Sequence, residues 1–121
     1  MGNNIPIAKP SICIDLKKKR IRIHKAMLHQ MHDPDFIQLL VNPSSKGMII
    51  RACDSKDKYA QKVRTYATNG DYCYELYSTD LLQNMMSVTA EWEESRSYRI
   101  YGKYNSTIDA AFFSLRDIVS I

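Results

Sequence analysis

From Ser11 to Leu16 apolar residues fall at every second position (Ile12, Ile14, Leu16), and the alternation returns from Arg20 to His24, where Ile21 and Ile23 oppose Arg20, Arg22 and His24. Period two predicts two half-buried strands. The Lys17-Lys18-Lys19 run lies between them, at a turn or along one long bent strand. From Lys25 the period lengthens: Ala26, Leu28 and Met31 recur near a helical spacing, and Asp33-Pro34 ends the run because Pro disfavours helix in the residue before it. A helix of about two turns is predicted there. Phe36 to Asn42 and Gly47 to Cys53 are apolar and β-rich, and the turn formers between them predict a hairpin. Lys58 to Tyr66, with Tyr59, Val63 and Tyr66 on one side, predicts a further helix before Asn69-Gly70-Asp71 turns the chain.

The order then returns. Tyr72 to Tyr77 alternates as a strand, Ser78 or Thr79 offers an N-cap, and Leu81, Leu82, Met85, Met86 and Val88 form an apolar helical face. A polar connection over Glu91 to Ser95 leads to Ser97 to Tyr104, with Tyr98, Ile100 and Gly102 on one face and Arg99, Tyr101 and Lys103 on the other. Asn105-Ser106-Thr107 turns this strand into Ala110 to Leu115, a second hairpin. Both halves read strand, short helix, strand, strand, their first strands about 52 residues apart. That is the order of a tandem duplication, with coincidence of order as the competing reading.

The predicted fold class is therefore α+β: a small β-barrel-like domain over 11–121, built from two strand-helix-hairpin units. The units span about 20–53 and 72–115, linked by 54–71, after an extended arm over 1–10. Neither unit can bury enough surface alone, so the two are expected to share one core, with Leu28 and Leu82 at equivalent buried positions. Tyr98 to Tyr104, with Tyr101 outward, is expected to be an open edge that pairs with a second copy in a homodimer.

Composition adds little to this picture until charge is located. At 121 residues, 45% hydrophobic and 25% charged, with four Gly and four Pro, the chain is an ordinary globular one and not collagen-like, low-complexity or wholly disordered. Residues 1–25 carry seven basic groups against Asp15, a net +6, whereas residues 26–121 carry 10 basic and 12 acidic groups, a net −2. The body is mildly acidic and the N-terminal quarter strongly basic. Lys17, Lys18, Lys19, Arg20, Arg22 and Lys25 are the candidate nucleic-acid-binding residues. Ile21 and Ile23 would fix the strand to a core and hold Arg20, Arg22 and His24 outward as a charged ridge, and such a ribbon can enter the major groove of double-stranded DNA. The alternative is a solvated lysine turn that blunts an edge strand, in a protein-interaction module with no nucleic-acid role.

Enzyme chemistry finds no foothold. Gly2, Gly47, Gly70 and Gly102 are too scattered for a phosphate loop, and G-x-S-x-G and H-E-x-x-H are absent. His24, His29 and His32 would not converge on a helix, so no metal and no cofactor are expected. Glu91, Glu93 and Glu94 stand in a polar loop, and the Trp92 among them reads as a core or interface anchor. Cys13, Cys53 and Cys73 form no disulfide framework and read as buried small hydrophobes. No apolar run approaches the ~20 residues that span a bilayer, so a cytoplasmic protein with no membrane partner is expected.

Arg20-Ile21-Arg22-Ile23-His24-Lys25-Ala26-Met27-Leu28, followed by Phe36 to Val41 and Met48 to Arg51, resembles the swapped-hairpin domain of AbrB and MraZ regulators. The resemblance covers about residues 17–53 and, in element order, 72–115. It implies interlocked barrels that bind DNA with arginines of the first strand and helix region, carried twice in MraZ-type chains. The family's Gly before the first strand is missing here, His24 stands where a helix-starting Pro is common, and the second unit has no basic first strand. The whole chain is also similar to short proteins of Gram-positive bacteria and their mobile elements, a likeness that implies no activity.

Overall fold

A computed structural model describes residues 10–63, 73–89 and 92–121. The arm over 1–9 and the Asn69-Gly70-Asp71 turn lie outside the described residues. In chain order the elements are β1 (Ser11–Asp15), β2 (Arg20–His24), α1 (Lys25–Gln30), β3 (Phe36–Asn42) and β4 (Gly47–Ala52). They continue with β5 (Gln61–Lys62), β6 (Cys73–Tyr77), α2 (Thr79–Ser87), β7 (Ser97–Asn105) and β8 (Ala110–Ser120). All strands join one antiparallel sheet in the order β5-β3-β4-β8-β7-β1-β2-β6, curled into a half-barrel.

The α+β expectation is corrected by this count. Strand makes up 49% and helix 15% of the described residues, so the protein is closer to all-β. Two features account for the shift. No helix forms over the described part of Lys58 to Tyr66: Tyr59 sits at φ 63°, the Gln38 side-chain amide holds the Lys58 carbonyl, and Gln61 and Lys62 pair with Ile37 and Phe36. Edge pairing to an existing strand outweighs a weak helical pattern. At the other end β8 runs to Ser120, beyond the expected Leu115. Its ladder to β7 jumps from Ile100↔Ile118 to Gly102↔Phe113, so residues 114–117 bulge opposite Tyr101 and interrupt the alternation. Gly102 is required at that jump, because a Cβ there would stand 2.4 Å from the Phe112 carbonyl oxygen.

The sheet is an open half-barrel whose ends are β5 and β6. Tyr98 to Tyr104 is therefore not the edge expected of it. β7 pairs with β8 on one side and, over Ser97 to Tyr101, with β1 on the other, so Tyr101 lies on an interior strand.

Register relates the two halves by a pseudo-two-fold. In the β2–β6 ladder Ile21↔Leu76 and Ile23↔Tyr74 flank Arg22↔Glu75; in the β4–β8 ladder Met48↔Phe113 and Ile50↔Ala111 flank Ile49↔Phe112. Exchanging the halves maps each ladder onto itself at an offset of 53 residues in the first (75 − 22) and 63 in the second (112 − 49). Helix caps follow the same relation: His24 Nδ1 accepts from the Ala26 amide at 3.0 Å, and Ser78 Oγ accepts from the Leu81 amide at 3.3 Å. So do the hairpin turns. Asn42 pairs with Gly47 and Asn105 with Ala110; each Asn side chain accepts an amide two residues on, and each turn ends at a left-handed residue, Lys46 or Asp109. The β1–β2 turn is a third copy, with Asp15 accepting from the Lys18 amide and Lys19 at φ 55°. In the last hairpin Tyr104 also donates to the Asp109 carboxylate, which pushes its phenol up to about 12.

One apolar cluster joins the halves. It takes Ile12, Ile14, Ile21 and Ile23 from β1 and β2, Ile37, Met48 and Ile50 from the first hairpin, and Ile100, Ala111 and Phe113 from the second. Met27 and Leu28 of α1, Met31 just beyond it, and Leu82 and Met85 of α2 belong to the same cluster, all buried. Trp92 stacks on Tyr98 at 5.6 Å and closes it as a core anchor. Leu82→Ala should cost about 2–5 kcal/mol and unfold both halves in a single denaturant transition. Two resolved transitions in fluorescence and circular dichroism would show separate cores.

Candidate functional site

The six candidate cations divide among three places. Lys17, Lys18 and Lys19 form the exposed tip of the β1–β2 hairpin, whose turn is shaped by Asp15 and by left-handed Lys19. Arg20 and Arg22 lie within β2 on the face turned away from the core, as the alternation requires. Lys25 opens α1 on the far side of the His24 cap and is exposed.

Arg20 and Arg22 do not stand as a solvated ridge. The Arg20 side chain is 16% exposed, with Nε 3.3 Å from Asp15 Oδ2 and Nη1 3.3 Å from Glu75 Oε1; Arg22 Nε lies 3.5 Å from the same Glu75 oxygen. Two guanidiniums thus share two carboxylates across three strands, a half-buried network less screened by water than exposed pairs. Glu75 in turn accepts from the Tyr77 hydroxyl at 3.0 Å. By contrast, among the described residues no ion pair engages Lys17, Lys18 or Lys19.

The row continues through Cys13, which faces Arg22 on one side and Arg99 on the other. Burial pushes the Cys13 thiol up, and the two guanidiniums, pulling down, do not reverse it. Cys53 is raised for the same first reason, with Asp57 adding to it. Both are free and half-buried, less enclosed than expected, and neither is an activated nucleophile. The side chain of Cys73 lies outside the described residues. His29 pairs with Asp33 at 2.9 Å, and among the described residues no three His, Cys, Asp or Glu side chains gather as metal ligands.

Two features of the surface carry no periodic signal in the sequence. A cavity of about 420 Å³ opens between the lysine tip and α2, with Leu16, Leu82 and Met86 in its wall and Lys17, Lys19 and Glu94 at its rim. On the outer face of the two hairpins, Leu40, Ile49 and Phe112 are successive cross-strand partners in one row, with Leu40 40% and Phe112 37% exposed.

No family model, curated protein or solved structure matches the chain. No described helix is long and apolar enough to cross a membrane.

The network predicts that Arg20 is structural. Arg20→Ser should lower stability by about 1–3 kcal/mol in urea unfolding, since Asp15 and Glu75 lose charged hydrogen bonds at half-buried positions. An unchanged midpoint would show that the network contributes nothing and that Arg20 is available to a ligand.

Proposed function

We propose that the protein is a small, non-enzymatic, cytoplasmic DNA-binding protein that meets the phosphate backbone with the tip of its β1–β2 hairpin. The observation that carries the reading is the contrast within the basic segment: Arg20 and Arg22 are engaged by Asp15 and Glu75, whereas Lys17, Lys18 and Lys19 are exposed at the tip and form no ion pair among the described residues. A hairpin held between β7 and β6 presents those ammonium groups on a fixed support, which lowers the ordering cost of each phosphate contact. The AbrB and MraZ resemblance supports duplex DNA as the partner, but the contact moves from the first-strand arginines to the turn before them.

With three lysines, contact is predominantly to phosphate and weakly dependent on sequence. A second reading is favoured by the outer-face row of exposed Leu40 and Phe112 with half-buried Ile49 between them, which suits a protein partner on that part of the sheet. Salt separates the two. Neutralising about three phosphates gives a slope of log affinity against log salt near about −2.7, and an apolar interface gives almost none.

Electrophoretic titration on mixed duplex at two salt concentrations should show that slope. Replacing Lys17, Lys18 and Lys19 together with Ala should flatten it and weaken binding about tenfold or more at low salt, with the melting temperature unchanged. Retained affinity and slope in the triple variant would remove the tip from the contact and the reading with it.

A further inference from the structure

We propose that the cavity between the β1–β2 turn and α2 binds a small amphiphilic monoanion, a carboxylate carrying a hydrocarbon or aromatic group. Its volume of about 420 Å³ lies within the range of small-molecule sites. Leu16 and Leu82 are buried and Met86 half-buried, so the wall gives an apolar group a place out of water. At the rim Lys17 and Lys19 oppose Glu94, a net of two positive charges less one negative, which suits a single negative charge and disfavours a dianion.

The walls are held independently, so the space does not depend on the occupant. Leu16 is tied by its amide to the Arg96 carbonyl at 3.2 Å and by its carbonyl to the Lys19 amide at 3.3 Å, and α2 is seated by Leu82 and Met85, which are buried in the shared core. The turn also selects among the lysines. Lys17 and Lys19 line the cavity and Lys18 does not.

An occupant therefore engages two of the three lysines assigned above to phosphate. Ligand and duplex compete, and the site regulates DNA contact. That consequence rests on the DNA-binding reading; the cavity itself does not.

The first experiment uses the full chain without DNA and titrates sodium octanoate, below its micelle concentration, in a calorimeter. Saturable one-site binding is expected, with octylamine about tenfold weaker. Met86→Glu places a charge in the apolar wall and Gln83→Trp fills the cavity from an exposed position; both should abolish binding while the circular dichroism spectrum is kept. Replacing Lys17 and Lys19 with Ala should weaken octanoate about fivefold or more, and Lys18→Ala should change it less than about twofold. Absence of saturation, equal binding of octylamine, or retained binding in both Met86→Glu and Gln83→Trp would overturn the site. The second experiment adds octanoate to the duplex titration. A shift in the natural chain that is absent in Met86→Glu supports regulation, and an unshifted curve despite octanoate binding overturns it. If octanoate binds and duplex never does, the DNA-binding reading fails and the cavity stands.

Discussion

Ile49 faces Phe112 where β4 pairs with β8, Cys13 faces Arg99 where β1 pairs with β7, and Arg22 faces Glu75 where β2 pairs with β6; at these three ladders one half of the chain becomes the neighbour of the other. Without them each hairpin would present an unpaired edge and an uncovered apolar face, a costly state for so short a segment. Closing the long connections between partner strands costs entropy that grows slowly with length, while each ladder recovers backbone hydrogen bonds and shared core area. The cluster that contains Leu28 and Leu82 draws side chains from both strands of all three ladders.

The same symmetry decides the electrostatics. Arg22 and Glu75 occupy equivalent positions in the two halves, and the two-fold places them side by side with opposite charge. The basic first strand of one half is thereby answered by the acidic first strand of the other. What remains uncompensated is displaced to the lysine tip, outside the ladder. There Lys17 and Lys19 share a cavity with α2, which supplies one of its walls.

Most elements were legible because their signals are local. Alternation located β2, apolar β-rich runs on either side of a turn cluster located β3 and β4 to within a residue, Ser78 and the Leu82-Met85 face located α2, and Asn42 and Asn105 marked their turns. Failures came where a long-range partner overrides the local pattern. Tyr59 and Val63 share a helical side, yet β3 takes Gln61 and Lys62 as an edge strand. Arg116-Asp117 breaks the alternation of β8, and the bulge beside Gly102 restores its pairing beyond them. For the site, alternation put Arg20 and Arg22 on the outer face and nothing in the periodicity revealed Glu75 beside them, because it arrives from a strand 53 positions later than Arg22. The repeated signal that was available, an Asx residue followed four positions on by a left-handed residue, is visible in Asp15, Asn42 and Asn105.

The central claim is that the two halves meet through one pseudo-symmetric register, and a cross-strand disulfide tests it directly. Ile49 and Phe112 are opposed on the outer face, and opposed antiparallel residues have Cα separations of about 4.5–5.5 Å, inside the range a disulfide spans. The double variant Ile49→Cys, Phe112→Cys, oxidised at low concentration and mapped by peptide mass, is expected to yield an intramolecular bridge between positions 49 and 112 with the fold kept. A bridge that forms between molecules instead, or none at all while the variant remains folded, would contradict the register on which the shared core and the paired arginines depend.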